Sequence, residues 1–138
     1  MATPRIRATD AGRTLDDPSE EQLHDLLADM NLRCNFVVVE RLSADPDPER
    51  VHYIQVALRA EPNYGSYQVE YREGGPSDHF QTTVPRTSDW GSVYDRGFDK
   101  VVEVVCDWAA GRTNWRTALA WEPWDPTRSA DHADNPVI

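Results

Sequence analysis

Residues 67–84 read YQVEYREGGPSDHFQTTV, and their two-residue alternation leaves this chain few folds to choose from. Tyr67, Val69 and Tyr71 fall on one side of an extended chain, with Gln68, Glu70 and Arg72 on the other. A period of two cannot gather its apolar members on one side of a helix, so the segment reads as a strand with one buried face. Gly74-Gly75-Pro76-Ser77-Asp78 has the composition of a turn, and His79 to Val84 resumes as a second strand.

Two further strands precede this pair. Asn35 to Leu42 (NFVVVERL) is rich in β-branched residues and runs into a Ser-Ala-Asp-Pro-Asp-Pro loop. Val51 to Ala60 alternates, with Ile54, Val56 and Leu58 opposed to Tyr53, Gln55 and Arg59. Short connections between one-sided strands predict an antiparallel meander. Trp115, Thr117, Leu119 and Trp121 alternate in the same way and predict a fifth strand over 115–121.

Helical signals flank these strands. Asp17-Pro18-Ser19-Glu20-Glu21 offers a cap, a proline for the first helical position and carboxylates for the first turn. Leu23, Leu26, Leu27 and Met30 follow as an apolar stripe, so a helix is expected over about 18–31. Ser88 or Asp89 can cap a second helix that runs to Ala110 and is closed by Gly111. Its expected core face is Tyr94, Phe98, Val101, Val102, Val105, Trp108 and Ala109. Residues 1–16 show no periodicity and read as a frayed start, and residues 125–138 as a flexible acidic tail. The expectation is one α+β domain over 1–124, in the order α-β-β-β-β-α-β. It has a twisted antiparallel sheet of about five strands and two helices packed on one face.

Twenty-four Asp and Glu against 14 Lys and Arg give a net charge of −10. A domain that grips nucleic acid directly shows the reverse balance, so no direct nucleic-acid partner is expected. No apolar run has the length of a membrane span and the start lacks an apolar signal region, which points to a cytoplasmic protein. Cys34 and Cys106 sit in separate apolar segments without metal-ligand spacing and read as buried, reduced thiols. There is no Gly-rich phosphate loop, no G-x-S-x-G elbow and no H-E-x-x-H pair. His24, His52, His79 and His132 are scattered, and only Glu40 and Glu70 suggest themselves as a cross-strand acid/base pair. Neither catalysis, cofactor nor metal is therefore expected, and the balance favours a binding domain.

Two surfaces are candidates for that binding. Asp95, Asp99, Glu103 and Asp107 recur every four residues along the second helix, and Glu21, Asp25 and Asp29 do so on the first. Like charges at this spacing cost about 0.2–0.5 kcal/mol per pair. Arg96 and Lys100 can offset part of it on the second helix, and nothing within the first helix does. An ordinary solvated helix face would look the same; the functional alternative is an anionic surface that meets a cationic one. The second surface is the outer sheet face, with Tyr53, Gln55, Arg59, Gln68, Glu70, Arg72, Gln81 and Arg116. Of the tryptophans, Trp108, Trp115 and Trp121 read as core, and Trp90 and Trp124 as candidate exposed anchors.

The segments FVVVERL, YIQVAL and YQVEYREGG, the helix from Phe98 to Gly111 ending in DWAAG, and a closing W-x5-W before Glu-Pro resemble the Imm-one type of bacterial immunity protein. The resemblance covers about residues 20–124 and leaves out the Asp-Pro loop at 44–50 and the tail after Trp124. It implies a protein that binds and neutralises a cognate toxin, often a nuclease or deaminase, and the carboxylate-lined helices suit occlusion of that toxin's basic active cleft. The implied partner is a protein with a basic surface, met by a monomer or weak homodimer. An acidic secretion-type chaperone or other adaptor, and less readily a small enzyme, are the alternatives.

Overall fold

The computed structural model describes residues 5–31, 34–42, 51–59, 66–85 and 96–124. Its elements are β1 (Ile6–Thr9), β2 (Thr14–Asp16), α1 (Glu20–Ala28), β3 (Phe36–Arg41), β4 (Val51–Arg59) and β5 (Ser66–Gly74), then a 3-10 turn (Pro76–Asp78), β6 (His79–Pro85), α2 (Arg96–Ala109), α3 (Trp115–Ala118) and β7 (Glu122–Pro123). All strands join one antiparallel sheet in the order β2-β1-β3-β4-β5-β6-β7. The fold is α+β, with seven strands among the described residues where about five are expected from the sequence.

The central meander follows the alternation. Ile54, Val56 and Leu58 of β4 pair with Tyr71, Val69 and Tyr67 of β5, and these six are buried on one face. Val37 and Val39 of β3 and Ala8 of β1 extend the same layer. Leu23, Leu26 and Leu27 of α1 pack onto it, with Val101, Val104, Val105 and Trp108 of α2 and Trp115 of α3. All three helices therefore cover one face of the sheet.

The first correction concerns the N-terminal segment, which is paired β-structure from Ile6 rather than a frayed start. Asp10 closes the β1–β2 hairpin: its Oδ1 accepts the Gly12 and Arg13 backbone N–H groups at 3.0 and 2.8 Å. Its Oδ2 receives Arg13 Nε and Nη2 at 3.0 and 2.8 Å. Asp17 ties down the outer end, accepting the backbone N–H of Arg5 and Ile6 while it sits at a left-handed φ of 47°. That carboxylate is therefore not the helix cap. Ser19 caps α1 instead, in a reciprocal capping box with Gln22, so the helix begins at Glu20.

Burial pushes the Asp10 carboxyl up, but the Arg13 guanidinium and the two backbone N–H groups outweigh it and hold the group below its ordinary value of 3.8. A folded-state value below the unfolded one adds stability that is complete above about pH 3.8 and fades as pH falls through the lower folded value. Asp10→Asn is expected to lose about 1–2 kcal/mol at neutral pH, with Arg13 half-exposed. In urea titrations at successive pH values, the gap to wild type should close below pH 4; a constant gap would dismiss the carboxylate's role.

The second correction is at 115–121, where a helical turn replaces the expected strand. Arg116 N–H donates to Thr113 O at 3.1 Å and Ala118 N–H to Asn114 O at 3.1 Å, and the chain becomes extended only at Leu119. The two tryptophans still converge: both rings meet Tyr71 edge-on, at 4.7 and 4.6 Å. Arg116 belongs to this side of the sheet as well, paired with Glu73 at 2.7 Å and lying over the Trp115 ring.

α2 ends as its sequence predicts. Gly111 has φ +79°, its N–H donates to Trp108 O at 3.2 Å, and Arg112 N–H reaches Asp107 O at 3.0 Å, the paired bonds of a Schellman close. A methyl group at Gly111 would meet nothing within 4 Å, so Gly111→Ala carries only the cost of the left-handed backbone. That cost is about 1 kcal/mol, to be read as a shift in the urea midpoint with an unchanged slope. The expected caps at Ser88 and Asp89, the core residue Tyr94, the Asp-Pro loop and the tail from 125 onward lie outside the described residues.

Candidate functional site

The outer face of the helix layer carries part of the expected acidic surface. α1 and α2 lie side by side, with His24 edge-on to Phe98 at 5.4 Å and Glu20 joined to Arg112 at 2.9 Å. Glu21 and Asp25 on α1 and Asp99 and Glu103 on α2 are exposed. Among the described residues, Glu21 and Asp99 have no basic partner, Asp25 has only the His24 ring at 3.6 Å, and Glu103 meets Lys100 at 3.8 Å. An exposed pair of that length leaves the carboxylate essentially available.

Two members of the helical stripes are engaged elsewhere. Asp107 is buried, its carboxylate held by Arg112 Nε at 2.7 Å, because the chain turns back beyond Gly111 and lays that arginine across the helix end. Asp29 pairs with Arg13 of the first hairpin at 3.0 Å. Both neutralising arginines come from outside the helices. Asp95 and Trp90 lie outside the described residues.

The second surface is the sheet face turned away from the helices. Strand register sorts its side chains into rows: Tyr53, Arg72 and His79 in one, Gln55, Glu70 and Gln81 in the next, Ala57, Gln68 and Thr83 in a third. Tyr53, Gln55, Glu70 and Arg72 are thus brought together. Glu40 and Glu70 are not the cross-strand pair expected, because β4 lies between their strands, with Glu40 opposite Tyr53 and Glu70 opposite Gln55.

This face is polar but not uniformly wet. Gln55, Ala57, Ser66 and Gln81 are buried there, and among the described residues no helix lies over them. Thr83 Oγ1 donates to Gln68 Oε1 at 2.9 Å, and Gln68 Nε2 donates to Gln81 Oε1 at 3.1 Å. His79 Nε2 is 3.4 Å from both Tyr53 Oη and Glu70 Oε2. Burial, with the Glu70 charge adding and Arg72 opposing, pushes the Tyr53 phenol above its usual value. The Trp124 indole stacks on His79 at 4.6 Å and its backbone N–H donates to His79 O. Trp124 is therefore half-buried rather than a free anchor.

His79 is the member that motif reasoning passed over. The signal was present: in the segment HFQTTV, its parity puts it with Gln81 and Thr83, opposite Phe80 and Val84. Of the cysteines, Cys34 is half-buried and Cys106 is buried, both as free thiols, and burial pushes the Cys106 thiol up. No family model, curated protein or solved structure matches this chain. No helix among the described residues is long and apolar enough to cross a membrane.

Proposed function

We propose that this chain is a protein-binding domain of the immunity type, which engages a cationic protein toxin through its outer helix face and neutralises it by covering its active cleft. The observation that carries the proposal is the group of exposed carboxylates Glu21, Asp25, Asp99 and Glu103 on two helices in contact. Like charges clustered with few counter-charges destabilise a free surface, and a cationic partner relieves them. The net charge of −10 has the same sign as this face, so the whole molecule steers toward a basic cleft. A toxin that handles nucleic acid needs such a cleft.

The test is association with the toxin domain encoded beside this chain's gene. A stoichiometric complex by light scattering is expected, with an association rate that falls as salt rises. Reversing charge in the double variant Asp99→Lys/Glu103→Lys should slow association at low salt about tenfold and flatten the salt dependence. Absence of any complex would defeat the proposal; a double variant that associates like wild type would defeat its placement on the helices.

A further inference from the structure

We propose that the sheet face opposite the helices holds a guanidinium site, in which the Glu70 carboxylate and the Gln55 amide receive an arginine side chain of the protein partner. The proposal rests on the partner being a protein, and it adds a second contact surface with its own chemistry.

Gln55 is the starting point. It lies on a central strand and is 7% exposed, yet its side-chain amide makes no hydrogen bond among the described residues. Its polar atoms are not among those fully sealed from solvent. Those atoms can therefore meet water or a ligand, and a donor that replaces water there keeps the amide satisfied. The register sets Gln55 directly opposite Glu70, whose side chain is 17% exposed.

The surroundings are short of donors. One atom, His79 Nε2, faces both Tyr53 Oη and Glu70 Oε2 at 3.4 Å. A ring nitrogen either donates or accepts, so it serves only one of those groups well in either neutral tautomer. Among the described residues Glu70 Oε1 has no hydrogen bond, and the Nε of the neighbouring Arg72 is directed to Gly74 O. Gln81 Oε1 is already occupied by Gln68. The unfilled capacity is thus the Glu70 carboxylate with the Gln55 carbonyl beside it.

That arrangement selects its ligand. An anion would be repelled by Glu70, and a neutral amide would leave a largely buried carboxylate uncompensated. A cation with several donors in one plane fits both acceptors, which describes guanidinium and not the compact ammonium of lysine. The aromatic rim completes the match: Tyr53, His79 and the stacked Trp124 ring supply faces and edges on which a guanidinium packs.

The test uses the full-length, nitrogen-15-labelled chain titrated with N-acetyl-arginine amide and, separately, N-acetyl-lysine amide. Saturable shifts are expected at the Gln55 side-chain amide and the Trp124 indole, with arginine binding at least fivefold more tightly than lysine. Glu70→Gln, which keeps size and shape, should abolish them; Gln55→Met should weaken them severalfold, and serves if the first variant does not fold. Absence of saturable shifts at these two groups, equal affinity for the lysine probe, or undiminished binding in Glu70→Gln would overturn the proposal. No toxin is needed for this titration, so its failure leaves the toxin-binding reading standing, and failure of the toxin complex leaves the arginine site standing.

Discussion

Trp108→Ala is expected to remove about 3–5 kcal/mol of folding stability, the largest single effect in this molecule. Trp108 is 2% exposed in the last turn of α2, among the side chains that join the helix layer to the sheet. The Arg41 guanidinium lies over its ring, 4.4 Å from the centroid, and donates to its backbone carbonyl. The arginine thus gives a second donor to a C-terminal carbonyl that also accepts the Gly111 N–H, and places positive charge at the negative end of the helix. Truncation leaves a cavity and strips the arginine of its aromatic platform. Because a domain of this kind is stable by only about 5–15 kcal/mol, the variant should lose about a fifth of its margin or more. Equilibrium urea unfolding measures it directly, and a loss below about 1 kcal/mol would mean that the α2–sheet contact is not as tight as described.

Tyr71→Ala is expected to cost about 3–4 kcal/mol, for a different reason. Tyr71 is the hub of four aromatic rings: it stacks on Phe80 at 5.2 Å and meets Trp115 and Trp121 edge-on. Those two tryptophans bring α3 and the approach to β7 onto the sheet, so loss of the central ring should loosen the C-terminal elements first. Amide exchange should accelerate across 115–123 more than across β3 and β4. Tyr71→Phe is the control: it keeps the ring and removes a hydroxyl without a hydrogen-bond partner among the described residues, so its cost should stay below about 1 kcal/mol. Uniform exchange acceleration in Tyr71→Ala would argue that these elements do not depend on this ring.

The parts of the fold that could be read from residue order share one property. In β4 and β5, alternate side chains are strongly apolar, so the buried face announces itself. In α1 and α2, three or four large apolar residues recur at helical spacing. β1 lacks any such mark: its fully buried member is Ala8, a small residue between Arg7 and Thr9. What makes it a strand is pairing with β3 and the Asp10 and Asp17 hydrogen bonds, none of which leaves a periodic trace. The segment from Trp115 to Trp121 failed in the opposite direction. Its large residues alternate, but they reach one target from a helical turn and the bend that follows it, not from one face of a strand.

The candidate surfaces divide in the same way. Sequence alone determined that the molecule is acidic, that carboxylates recur at helical spacing on both helices, and that Tyr53, Gln55, Glu70 and Arg72 point away from the apolar side of their strands. Those are relations between neighbours along the chain, and local geometry dictates them. Tertiary structure decided which carboxylates remain free: Asp29 is paired with Arg13, Asp107 and Glu20 share Arg112, and Asp99 and Glu21 are left exposed. It also decided that Gln55 stands opposite Glu70, with His79 close to both Glu70 and Tyr53. Glu20 and Arg112 are 92 residues apart, and a charge at one helix end carries no information about which distant guanidinium will reach it. Strand register and long-range ion pairing are set by the packing of the whole core, which is why periodicity could name the faces of this protein but not what meets on them.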